Sequence, residues 1–139
     1  MILLDTNVLS ELTRPAPDAN CEAWLAGQAP HGIFSTAVTE AEILYGIALL
    51  PEGARKTALA GAAKRLFDTL LGGRILAFDR EAAADYALIV SARRTAGRPI
   101  LPVDAQIAAI ARSRGARLAT RNIADFEGCG IELIDPWNA

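Results

Sequence analysis

What most constrains this chain is the order of its apolar runs: short runs of strand length alternate with longer runs whose apolar residues recur at helical spacing. Ile2 to Leu4 reads as a buried strand, and Asp5-Thr6-Asn7 caps a helix that Pro15 and Pro17 end. Asp18 to Gln28, carrying Trp24 and Leu25, reads as a second helix; Gly32 to Ser35 as a short strand; Val38 to Leu50 as a helix stopping before Pro51-Glu52-Gly53. Residues 54 to 71 form a further helical run closed by Gly72-Gly73, Arg74 to Phe78 a strand, and Arg80 to Ala96 a helix closed by Gly97. Ile100 to Val103 reads as extended, and Asp104 opens a helix with Ile107, Ile110 and Ala111 on one face until Gly115 stops it. Arg117 to Thr120 is a strand, Asn122 to Gly130 a loop, and Ile131 to Ile134 a last strand. This alternation predicts an α/β fold with a mainly parallel, twisted sheet flanked by helices on both faces, in which ligands bind beyond the carboxyl ends of the strands.

At 139 residues the chain has the size of one domain, so residues 1–139 are expected to share one architecture. The apolar run Ile2-Leu3-Leu4 meets Asp5 at once, too short for a signal peptide or a membrane span, so a cytoplasmic, membrane-free protein is expected. Cys21 and Cys129 lie far apart without metal-site spacing and read as packing residues. His31 is the only histidine, which argues against histidine-rich zinc sites and leaves a Ser-His-Asp triad resting on one turn residue. A net charge of -2 does not advertise nucleic-acid binding, so any such site must be local. Apolar residues make up 52% of the chain before its 11 glycines are counted. Ordinary domains reach roughly 45–50% with glycine included, which suggests apolar surface covered by a partner.

Three acids stand where the strands end: Asp5 after the first, Asp104 after an extended segment, and Asp125 after Leu118-Ala119-Thr120. Each also has an ordinary structural explanation, Asp5 and Asp104 as helix caps and Asp125 as a turn residue. Glu42 does too, because Thr39-Glu40-Ala41-Glu42 matches a capping box. Helical spacing does not choose between Glu40 and Glu42, since both have mostly apolar company on their faces.

Four segments, MILLDTNVLSELTR, STAVTEAEILYGI, PVDAQIAAIA and LATRNIADF, together resemble the ordered motif set of PIN domains, especially VapC toxins and FitB-like proteins. The resemblance runs from Met1 to the final strand. In that family the second motif's acid stands four residues before a glycine, which with Gly46 selects Glu42. The resemblance implies metal-binding and catalytic roles for Asp5, Glu42, Asp104 and Asp125. The fourth acid varies in position within the family, so Asn122 remains open as a substitute for Asp125. It further implies an endoribonuclease acting as the toxin of a toxin–antitoxin pair. The expected partners are RNA as substrate, a second copy of the chain, and a small antitoxin that lies in a groove with a basic side chain among the acids. Operator DNA would be met only through the antitoxin. Leu9 and Leu12 are groove candidates, with core packing as the alternative. A different reading makes the chain a non-catalytic PIN-fold partner in a DNA-bound regulatory complex.

Elementary electrostatics also asks for a cation here. Two carboxylates about 4 Å apart repel by roughly 1 kcal/mol in water and roughly 4 kcal/mol at an effective dielectric of 20. A divalent ion removes that cost, and an all-oxygen ligand set suits Mg²⁺, with Mn²⁺ able to substitute. Such an ion activates water for attack on a phosphodiester. Thr6, Asn7, Thr120 and Asn122 flank the acids and could orient them, or could serve only as caps and turns. Arg14, Arg98 and Arg121 lie near the motifs and could meet phosphate. A dehalogenase-like phosphatase would want an acid where Asn7 stands, and a response-regulator receiver would want paired acids after the first strand and a lysine in a late one; the sequence provides neither.

Overall fold

In a computed structural model that describes residues 1–139, the first strand β1 (Ile2–Leu4) sends its side chains to two different cores. Ile2 and Leu4 enter one and Leu3 the other. A strand apolar on both faces must be covered on both, which is the signature of a parallel sheet between helical layers. β1 is indeed the central strand of a five-stranded sheet in the order β3-β2-β1-β4-β5. Its companions are β2 (Ile33–Thr36), β3 (Ile75–Leu76), β4 (Arg117–Ala119) and β5 (Leu133–Ile134), and every pairing is parallel.

From β1 the chain first builds outward through β2 and β3, then returns to lay β4 and β5 on the opposite side. The order therefore reverses between β1 and β4, where the loops leaving the carboxyl ends part and open a crevice. Helices α1 (Thr6–Leu12), α2 (Ala19–Ala26), α3 (Ala37–Ala48) and α4 (Ala54–Arg65) belong to the first half. They bring Val8, Leu9, Cys21, Ile43 and Ala63 onto Ile2, Leu4, Ile33 and Ala119. Helices α5 (Arg80–Thr95), α6 (Pro102–Ser113) and α7 (Ile123–Phe126) cover the other face. There Ala82, Ile89, Ile107 to Ala111 and Phe126 close on Leu3 and Leu118. No helix is long and apolar enough to cross a membrane.

Three local expectations change. The segment Ile100 to Val103 is not extended throughout, because α6 begins at Pro102. Proline lacks an N–H that the first helical turn would leave unused and has its φ already set for a helix, while Leu101 before it is held extended at ψ 144°. The expected loop after Asn122 contains the one-turn helix α7, whose Phe126 is buried. The run from residue 54 is α-helical only to Arg65 and continues to Leu70 as a π-helical turn. Gly115 stops α6 as expected, at φ +62°. Its N–H donates to the Arg112 carbonyl and that of Ala116 to the Ala111 carbonyl, the paired bonds of a Schellman cap.

Candidate active site and metal centre

Asp5 leaves β1 as the N-cap of α1, its Oδ1 accepting from the Thr6 backbone N–H at 2.8 Å. Its other oxygen faces β4. Oδ2 accepts from the Thr120 hydroxyl at 2.8 Å and from Asn7 Nδ2 at 3.2 Å, and the Asp5 N–H extends the β1–β4 ladder by donating to the Ala119 carbonyl at 2.9 Å. The carboxylate thus sits in the crevice between the two strands, only 5% exposed. Burial raises its pKa; the Thr120 and Thr6 hydrogen bonds pull it back, and the charges of Glu42 and Asp125 push it up again.

Glu42 is the sixth residue of α3, not part of a capping box at its start. Thr36 is the N-cap, its hydroxyl accepting from the Thr39 N–H at 3.0 Å, and Thr39 is fully buried. This frees Glu42 to reach across to α1, where its Oε1 accepts from the Thr6 hydroxyl at 2.6 Å. Thr6 Oγ1 also stands 3.2 Å from Thr39 Oγ1, but its single proton goes to the shorter, charge-assisted bond. Glu42 lines the same groove as Asp5, whereas Glu40 does not.

Asp104 is the third residue of α6, in the helix's first turn rather than its cap, where the helix dipole favours a negative charge. Its carboxyl is nevertheless pushed up to about 6, by desolvation first and then by Asp5, Asp125 and Glu42, with Arg93 opposing. Asp125 is the third residue of α7 and exposed. It stands at the margin of the groove rather than in its lining, close enough for its charge to act on Asp5 and Asp104.

The four sequence-predicted acids therefore come from four separate elements to one end of the sheet. None of them takes part in any of the six salt bridges. As the side chains stand, no three acids, cysteines or histidines close into a set able to hold a metal ion. The donor chemistry does fit a hard divalent cation: the candidate ligands are all oxygens, and besides burial the charges of Asp5, Asp125 and Glu42 raise Asp104, a repulsion that a cation would relieve. Soft ligands are elsewhere. His31 is exposed in a 3-10 turn before β2, at the amino end of that strand. Cys21 and Cys129 are free thiols in the two cores on opposite faces of the sheet.

Of the four flanking residues, Thr6, Asn7 and Thr120 bond directly to site carboxylates. Asn122 lines the groove and gives its backbone N–H to Thr120 Oγ1 at 3.1 Å. The groove, about 830 Å³, runs from the acids past the apolar side chains of Ile43, Ile47, Leu50 and Leu59. Leu9 is no part of it, being fully buried in the core against which Leu12 also packs. Both sit beneath α1 because the groove side of that helix is taken by Thr6, Asn7, Ser10 and Thr13. Arg14 and Arg121 line the groove, and so does Arg55, which α4 supplies and which no motif announced. The Arg121 guanidinium lies 5.0 Å from the centre of the Trp137 ring. Arg98 instead pairs with Glu127 at 3.3 Å, while Arg93, also unannounced, is buried behind Asp125.

The PIN domain model matches residues 2–127, a span that holds all four acids. The chain belongs to the PIN-domain family. This PIN domain is 38% identical to the VapC ribonuclease Y4jK of Sinorhizobium fredii, over 99% of this chain and 98% of that protein. It is 39% identical to the toxin FitB of Neisseria gonorrhoeae, over 99% of each. Among solved structures it superposes on FitAB bound to an IR36 DNA fragment with a TM-score of 0.91 at 39% identity, covering 99% of this chain and 96% of that one. It is thus a PIN domain of the VapC and FitB type, the ribonuclease family of toxin–antitoxin systems.

Proposed function

We propose that this PIN domain is a Mg²⁺-dependent endoribonuclease, the toxin of a toxin–antitoxin pair. The observation that carries the reading is the convergence of Asp5, Glu42, Asp104 and Asp125 beside an arginine-bearing groove, with no salt bridge to any of them. Asp5, Glu42, Asp104 and Asp125 would hold the ion. When bound, it supplies an activated water and stabilises charge on the phosphodiester oxygens. Thr120 and Thr6 hold Asp5 and Glu42 in place by donating to them, and Asn7 ties Asp5 to the β4 end. Asn122 borders the same groove. Arg55 and Arg121, neither of which has a carboxylate partner, are the groove's phosphate contacts, and the Trp137 ring backs the Arg121 guanidinium.

In this reading a small antitoxin lies along the apolar wall of the groove and places a cation among the acids. Operator DNA is reached only through that protein, and the pair works in the cytoplasm. A second copy packs on the exposed apolar side chains Tyr45, Leu44, Phe78 and Val103. Two observations favour a different reading: the acids do not close into a ligand set as they stand, and the likeness to FitAB is to a DNA-bound complex. That reading makes the chain a non-catalytic partner. Incubating purified protein with RNA in Mg²⁺, Mn²⁺ or EDTA separates the two. Metal-dependent cleavage that Asp5→Asn abolishes is expected; cleavage that persists after rigorous chelation would sink the metal reading, and no cleavage in any metal would leave the non-catalytic one.

A further inference from the structure

Arg93 is a cation in the interior, 6% exposed, on the last turn of α5, and it takes part in none of the salt bridges. Burying a guanidinium costs several kcal/mol unless its donors are satisfied. Here backbone carbonyls take up Nε and Nη1: Nε donates to the Arg98 carbonyl at 2.7 Å, and Nη1 to the carbonyls of Asp125 at 2.8 Å and Glu127 at 3.0 Å, with the Cys129 sulfur 3.7 Å from Nη1 as well. The two ends of this fork hold different parts of the site. Arg98 lies in the short connection from α5 into α6, on whose first turn Asp104 stands. Asp125 and Glu127 lie at the close of α7.

α7 has only four residues, far below the length at which a helix holds itself in water. Phe126, 1% exposed, fixes how deeply it sits. The Asp125 and Glu127 carbonyls at its end would otherwise be unpaired, and capping both with one rigid guanidinium fixes how the turn is rotated. We infer that Arg93 is the positioning residue of the metal centre: it clamps the α5–α6 connection to α7 and thereby aims Asp125 at the Asp5–Asp104 crevice. Arg98 makes a parallel tie on the surface, to the Ala124 carbonyl at 3.2 Å and the Glu127 carboxylate at 3.3 Å, but that contact is solvent-exposed and weak. The inference rests on the reading of Asp125 as a metal ligand.

The test is Mn²⁺ affinity, read as loss of the free-ion electron paramagnetic resonance signal, in wild type, R93K, D125N, the R93K/D125N double variant and R98A. Lysine keeps the charge but has no planar fork. R93K and D125N should each weaken Mn²⁺ binding by roughly tenfold or more. The double variant should be no weaker than the worse single one, because both changes remove the same ligand. R98A should stay within about twofold of wild type. A merely structural role would lower the melting temperature of R93K without changing its Mn²⁺ affinity, and that result overturns the proposal, as do losses that multiply in the double variant. Wild-type affinity in D125N would overturn the reading of Asp125 and the proposal with it, whereas weak binding in D125N beside normal binding in R93K overturns the proposal alone. R93Q is the second variant should R93K not fold; failure of both to fold would leave Arg93 a structural duty only and overturn it too.

Discussion

Replacing Asp104 with asparagine should stabilise the metal-free protein at neutral pH, and the gain should vanish in acid. A carboxyl raised from 3.8 to about 6 is one whose ionised form the fold disfavours by about 3 kcal/mol. Asp104 is partly exposed, and solvent screening trims this to about 1–2 kcal/mol. The sign follows from the raised value. Below pH 3.8 the carboxyl is protonated in both folded and unfolded chains and costs nothing; as pH climbs toward 6 the unfolded chain ionises first, and wild type loses the whole contribution above that. The side-chain amide of D104N never ionises, so that variant should melt about 3–7 °C above wild type at pH 7 in EDTA. The two should coincide near pH 3.5, apart from any pH-independent offset. Scanning calorimetry from pH 3.5 to 8 in EDTA reads this directly. Adding Mg²⁺ should then raise wild type more than D104N, by mass action on the folded state. A D104N stability difference that is flat with pH, or a loss at pH 7, would refute the electrostatic account of the site.

Asp5→Asn should keep the fold, because asparagine caps a helix as well as aspartate does, while single-turnover RNA cleavage falls at least a hundredfold. Glu42→Gln should leave the metal-free melting temperature unchanged or higher, since Thr36 rather than a capping box begins α3; a loss of about 0.5–2 kcal/mol would restore the capping role. Arg55→Ala and Arg121→Ala, each in a cleavage-dead Asp5→Asn background, should reduce the slope of RNA affinity against salt by about 0.7 apiece, measured by fluorescence anisotropy; an unchanged slope removes that arginine from the phosphate path. Co-expression with the product of the adjacent reading frame should give a complex whose inhibition weakens as Mg²⁺ rises, and a chain that stays free and active would end the antitoxin reading.

The sheet was legible in the sequence because its strands are apolar on both faces, so Ile2 to Leu4 and Leu118-Ala119 stand out as short unbroken runs. Asp5 was legible for the same reason, as the first charge after such a run. Glu42 was not separable from Glu40 by helical spacing, and only its reach to Thr6 on another element distinguishes it. The start of α6 is not legible locally, because Pro102 suits both an extended segment and a first helical turn. Arg55 and Arg93 carried no local signal at all. One is assigned to the groove by how α4 packs, the other to the interior by carbonyls more than 30 residues away in sequence.

How the acids are held bears on what they can bind. Asp5 and Glu42 are fixed by hydroxyl and amide donors, and Arg93, the one buried guanidinium nearby, spends its donors on carbonyls rather than on a carboxylate. A direct arginine–carboxylate pair would have fixed the acids more firmly, yet it would have cancelled the negative potential that a divalent ion needs. Neutral donors hold geometry without neutralising charge. The same arrangement leaves the site attractive to any cation that can reach it, whether an ion or the tip of a partner's basic side chain. An ion and such a side chain would compete directly, because both would draw on one unneutralised cluster.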